Sequence, residues 1–187
     1  IEIRGGGGEN GLPQQIAELT ANGAKLRVPA IALQRGTSEA VVNAPGEVQL
    51  LVDRDMAGNP LAQPQPVTIT WQESMQLHGR ELTFLGDVRV QHESGWLRTR
   101  RLVVRTVAPV NFDGGGQNPQ IEQIECWEGV LAEFDQRDVS GVNSRQHLEL
   151  QSLQINQITG EIRGDGPGKI DSVHKAKGAG AFMAVPG

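Results

Sequence analysis

The stretch Leu82-Thr83-Phe84-Leu85-Gly86-Asp87-Val88-Arg89-Val90-Gln91 decides the fold. Leu82, Phe84, Val88 and Val90 alternate with polar Thr83, Asp87, Arg89 and Gln91, a period of two that puts the apolar set on one face of an extended chain. Gly86 stands where the run bends, a position that favours a residue without Cβ. Upstream, Val67, Ile69 and Trp71 alternate with Thr68 and Thr70; downstream, residues 96–105 and 121–134 are rich in β-formers. No window of useful length carries apolar residues at helical spacing with caps. Residues 13–21 are the best helical stretch, short and flanked by Gly.

The pattern repeats. Thr37, Glu39, Pro45, Gly46 and Val48 match Thr159, Glu161, Pro167, Gly168 and Ile170 without a gap. Gly86-Asp87-Val88-Arg89-Val90 parallels Gly46-Glu47-Val48-Gln49-Leu50, and the Gly tracts 5–8 and 114–116 each precede a Pro-Gln pair. Echoes in one order predict stacked β-hairpin units, because one hairpin alone cannot cover its apolar face. Residues 53–66 and 107–119 have loop composition and are expected to bulge from the stack. The chain divides into a Gly-rich segment at 1–15, a β-repeat domain at 16–174 and a small-residue tail at 175–187, expected to be an end or linker of little order. It begins at Ile1 with no signal-peptide pattern, the expectation for a mature segment or a piece of a longer protein.

Composition bounds the partners. With 187 residues there is room for one β domain or two small ones sharing a core. Gly 24 and Pro 10 without triplet periodicity exclude collagen and imply many turns. A net charge of −5 argues against a nonspecific nucleic-acid binder. The single Cys126 forms no internal disulfide, and charges break every apolar run before transmembrane length.

The search for chemistry is largely negative. Neither Gly tract ends in the Lys-Ser/Thr of a phosphate loop. Asp53-Arg54-Asp55-Met56-Ala57-Gly58 opens like a calcium loop, but Ala57 stands at a ligand position and Pro64 where a bidentate Glu belongs, so it reads as a surface turn. His78, His92, His147 and His174 lack partners at metal-ligand spacing and read as exposed or edge residues; no metal and no cofactor are expected. Cys126 reads as a buried structural thiol, and no serine sits in a nucleophile elbow. Arg98, Arg100, Arg101 and Arg105 form the strongest basic cluster, either a solvated strand face or a grip on anionic groups. Trp71, Phe84, Trp96, Trp127 and Phe134 all fall on strands, as core or as the lining of an open apolar groove.

A resemblance sharpens these readings. The segment from Ser74-Met75-Gln76-Leu77-His78-Gly79 through Gly86-Asp87-Val88-Arg89-Val90 resembles the repeat of the OstA/LptA-like lipopolysaccharide-transport domains. Gly95-Trp96-Leu97-Arg98-Thr99-Arg100-Arg101-Leu102-Val103-Val104 resembles the next strand of the same unit, and Leu153-Gln154-Ile155-Asn156-Gln157-Ile158-Thr159-Gly160-Glu161-Ile162 fits a second copy. The likeness spans most of residues 25–173. It implies an all-β, repeat-built, twisted and semi-open jellyroll of antiparallel strands, folded like a taco, whose interior shields acyl chains. It further implies a periplasmic or cell-envelope location in a Gram-negative-type bacterium, edge-to-edge stacking with like domains, and no catalytic residues.

On that reading the partner is lipopolysaccharide or a similar glycolipid. The groove is lined by Trp71, Met75, Leu77, Leu82, Phe84, Val88, Val90, Trp96, Ile124, Val130, Phe134 and Ile155, with Arg98, Arg100 and Arg101 at the anionic headgroup. The chief alternative is a structural or protein-interaction β-stack within a larger surface protein. A polysaccharide-active β-helix enzyme ranks third, for want of a diagnostic carboxylate cluster.

Overall fold

A computed structural model describes residues 2–4, 16–21, 24–34, 37–54, 60–110, 120–138 and 141–174. The architecture is all antiparallel β in one open sheet. In chain order the strands are β1 (Glu2–Arg4), β2 (Ala17–Ala21), β3 (Ala24–Val28), β4 (Ala32–Gln34), β5 (Glu39–Val42), β6 (Gly46–Arg54), β7 (Pro60–Trp71) and β8 (Ser74–His78). They continue with β9 (Glu81–His92), β10 (Gly95–Thr106), β11 (Ile121–Asp138), β12 (Gly141–Leu150), β13 (Ser152–Asn156), β14 (Ile162–Asp165) and β15 (Lys169–His174).

The long strands β9, β10 and β11 organise the rest, because each takes different neighbours along its two halves. Residues 81–85 of β9 pair with β8, whereas 89–91 pair with β7. Residues 123–126 of β11 pair with β13, whereas 130–138 pair with β12. The sheet is therefore creased into two leaves. The first holds β4, β5, β8, the first half of β9, the second half of β10, the first half of β11, then β13 and β14. The second holds β1, β2, β3, β6, β7, the remaining halves of β9 to β11, then β12 and β15.

The crease is written in backbone irregularities. The β9–β10 and β10–β11 registers both slip between Thr99 and Arg101. Gly86, Asp87, Glu128 and Gly129 all take positive φ at the same level. Bulges of this kind bend a strand and raise its twist. Hydrogen bonds continue along the crease, from Gln72 N to Gly86 O at 2.6 Å, Gly129 N to Gln151 O at 3.0 Å and Gln151 N to Asp165 O at 3.2 Å. The sequence repeat now has a physical meaning. Gly46, Gly86 and Gly168 each lie where the chain crosses from the first leaf to the second. At Gly46 a Cβ would collide with the Trp71 ring and Val28.

The leaves face one another across a single main core. Leu26, Val28, Val48, Ile69 and Trp71 of the second leaf meet Val42, Met75, Phe84, Leu102 and Cys126 of the first. The Trp71 and Phe84 rings, 5.2 Å apart and tilted by 51°, fill the angle beside the crease. Trp71 Nε1 donates to Ala44 O at 2.9 Å, so its one polar atom is satisfied in the interior.

Two expectations are corrected. Residues 17–21, the end of the helical stretch, form strand β2, because pairing with both β1 and β3 outweighs local propensity; residues 13–15 lie outside the described ones. Residues 53–54 and 60–66 belong to strands and not to a loop, while residues 55–59 lie outside the described ones. β6 runs to Arg54 and β7 begins at Pro60, paired Leu51 to Pro66 and Arg54 to Pro60. Prolines survive there because, among the described residues, this half of β7 has a ladder on one side only, β9 joining it from Thr68 onward. The Gly tracts, residues 111–119 and the tail 175–187 lie outside the described residues. Strand β1, within the segment expected to precede the domain, joins the sheet through β2.

Candidate functional site: an apolar cavity at the mouth of the folded sheet

Two leaves that meet at a crease diverge away from it. The crease side is filled by Trp71, Phe84, Val88, Cys126 and Val130, none more than 1% exposed. At the opposite side lies a cavity of about 360 Å³, within the range of roughly 300–1,000 Å³ typical of small-molecule pockets. Its second-leaf wall comes from Val67, Ile69, Val90 and Leu97, extended by Leu50, Val52 and Pro64 of the β6–β7 hairpin. Its first-leaf wall comes from Leu102, Val104, Ile121, Ile124 and Ile155. Asp53, Arg54 and Gln120 stand among the lining residues as polar exceptions, together with His92 and Gln157.

The predicted groove residues separate into three sets, with Trp96 apart from all of them. Val90, Ile124 and Ile155 line the cavity. Trp71, Met75, Phe84, Val88 and Val130 are packed core, with Phe134 half-buried against it, and they present no surface to the cavity. Leu77 belongs to a small satellite cluster with Ala40, which Leu82 joins to the main core. Trp96 is a correction. Its neighbour Leu97 is buried in the core, so Trp96 points to the outer face and belongs to neither apolar cluster. Trp127 is placed outside for the same reason, next to buried Cys126, with its Nε1 donating to Glu125 Oε2 at 3.2 Å.

The arginine cluster does not reach the cavity. Arg98 and Arg100 lie on the outer side of the crease, where Arg98 pairs with Asp87 and Arg100 stands 3.9 Å from Glu128. Arg101 is exposed at the bulge. Arg105 is clamped by Glu81 at 3.0 Å and Glu125 at 2.5 Å. The hydrogen bonds from Arg98 and Arg89 hold the Asp87 carboxyl below the usual carboxylate range. Arg98, Arg100 and Arg105 are matched by acids across neighbouring strands, the arrangement of a solvated sheet face. Arg98, Arg100 and Arg101, expected at an anionic headgroup, are not among the residues that line the cavity.

Cys126 is fully buried, and burial pushes its thiol up to about 12, which leaves no thiolate for nucleophilic work at neutral pH. His78 is exposed beside Glu39, its Nδ1 3.0 Å from Oε1. His92 departs from the expectation of an exposed histidine: it is 3% exposed at the cavity wall, with Nδ1 2.7 Å from Ser94 Oγ. Reading by sequence missed Leu50, Val52, Pro64 and Gln157. The first three sat in or beside a stretch taken for loop, and a lone glutamine in a turn carries no signal of burial. No protein-family model matches the chain, and no curated protein matches its sequence.

Proposed function

We propose that this protein is a non-catalytic module of the cell envelope that shelters the acyl chain of a lipopolysaccharide or similar glycolipid between its two leaves. The observation that carries the reading is the aliphatic cavity at the mouth, set against a crease packed solid by Trp71 and Phe84. Burial of each CH₂ contributes roughly 0.8 kcal/mol, so a chain gains from entering without any covalent step. The OstA/LptA-like resemblance of residues 74–104 and 153–162 points the same way and supplies the periplasmic setting. The test is photo-crosslinking with purified lipopolysaccharide. A benzophenone residue at Ile124 is expected to capture lipid, while one at Val41, 37% exposed outside the cavity, is not. Equal labelling at both positions would sink the reading. Phe84 is the wrong place for such a probe, since it is sealed in the core.

A second reading, edge-to-edge stacking with like domains, rests on the C-terminal margin of both leaves. Among the described residues β14 and β15 are edge strands, and Ile162 on β14 and Ile170 and Val173 on β15 are 49%, 65% and 69% exposed. Apolar residues on an unpaired strand edge invite another strand. Ile170→Lys is expected to lower self-association about tenfold in sedimentation equilibrium, in line with the loss of one buried side chain. An unchanged association constant, or a monomer before mutation, removes stacking through this edge.

A further inference from the structure

The cavity stops at a packed floor on one side and changes character on the other. Toward the crease, Trp71, Phe84, Val88 and Val130 leave no room between the leaves, none being more than 1% exposed. The lining residues nearest that floor are Leu97 and Leu102, which flank the bulge on β10, and Ile69, next to Trp71 on the inner face of β7; all three are buried. Farther out, Leu50, Val90 and Ile124 are half-buried. The aliphatic wall ends with β6 and β11 at their margins farthest from the crease. There the lining turns polar, with Arg54 half-buried and Asp53 and Gln120 exposed. Apolar space in this molecule therefore has a definite depth as well as a definite place.

Its volume sets a capacity. A methylene group takes up about the ~30 Å³ of a water molecule in the liquid, so a cavity of about 360 Å³ holds about twelve of them. Two chains of that length would need twice the room. A longer chain has nowhere further to go. At the crease, close-packed side chains block it, and at the rim its extra methylenes lie against water and polar residues, where no more apolar surface is removed from solvent. We propose that the cavity measures chain length: it holds one acyl chain, and affinity grows with length only to about twelve carbons. The inference rests on the reading of the cavity as an acyl-chain site and adds a size limit to it.

The experiment is a competition titration of the intact chain with the even-numbered saturated fatty acids from octanoic to octadecanoic, each kept below its micelle concentration. Affinity is expected to rise about fourfold for each added methylene and to level off between decanoic and tetradecanoic acid, with dodecanoic acid bound at one per chain. Val90→Phe is the companion variant. Val90 pairs with Ile69 and Leu97 in the cavity wall, so a ring there takes up part of the volume, and the break is expected at a shorter acid than in the native chain. A steady climb to octadecanoic acid, a break outside the stated interval or no dependence on length overturns the inference and leaves the acyl-chain reading standing. So does a folded Val90→Phe chain whose break stays in place. Binding of none of the acids overturns both. The native series decides by itself if the variant does not fold.

Discussion

Asp87 shows how one residue serves the crease. It takes φ of 41°, a conformation unfavourable for most side chains but tolerated by Asp and Asn, and its carboxylate reaches Arg89 at 2.9 Å and Arg98 on the next strand. Hydrogen bonding to those arginines depresses its pKa. The sign follows. A carboxyl depressed in the folded state contributes stability that is present above its unfolded pKa and lost as pH falls through its folded one. Asp87→Asn keeps the backbone conformation and is expected to lower the melting temperature at neutral pH. The gap to the native protein should close as pH drops below the carboxylate range, followed by calorimetry across an acid series. A gap that is constant with pH would show that the ion pairs contribute nothing. At this scale the sequence was only partly legible. The four arginines between 98 and 105 were visible as a cluster, but Asp87, Glu81 and Glu125 meet them from other strands, and only the register reveals that.

Strands were the most legible level. Alternation at Val67, Ile69 and Trp71 and at Leu82 to Val90 marks residues that the structure buries or half-buries on one face, because a period of two survives any change of partner. Ambiguity arose where partners matter more than pattern. Residues 17–21 became a strand through their two neighbours, and Pro60, Pro64 and Pro66 were read as breakers although one side of their strand needs no donor. Trp96 and Trp127 misled for a different reason: a large aromatic ring outweighed the parity set by Leu97 and Cys126. The crease itself offers a sharp prediction. Gly86 has φ of 82°, and a Cβ there would meet the Glu73 side chain. Gly86→Val combines positive-φ strain with that contact and is expected to destabilise by about 2–3 kcal/mol, read from the urea midpoint. A shift within about 0.5 kcal/mol would mean the crease does not depend on this glycine.

For the whole molecule, the fold class was legible and the location of the cavity was not. Periodicity tells which side chains face inward. It does not tell which inward residues meet a partner across the leaves and which look into space, since that depends on how far each lies from the crease. Trp71 and Phe84 are as inward as Ile124, and only distance from the bend separates plug from pocket. Filling the pocket is the corresponding test. Val52 is half-buried on its wall, and Val52→Trp places a ring into open volume rather than into packed core. Stability is expected to change by less than about 1 kcal/mol, because no existing contact must move. Binding of dodecanoic acid should fall about tenfold or more, measured by displacement of a fluorescent fatty acid. Full binding in the filled variant would place the ligand elsewhere.

The crease carries a kinetic consequence. Every ladder among the described residues runs within a leaf, and the leaves are joined only where strands bend through the crease. Among the described residues, no strand pairing joins the leaves at the opposite margin. A chain can then slip in or out sideways, along the whole length of the mouth, while no backbone hydrogen bond opens. On the proposed acyl-chain reading, exchange of cargo would be decoupled from unfolding: the scaffold would stay rigid and long-lived while its contents turned over quickly, as a conduit requires and a storage vessel does not.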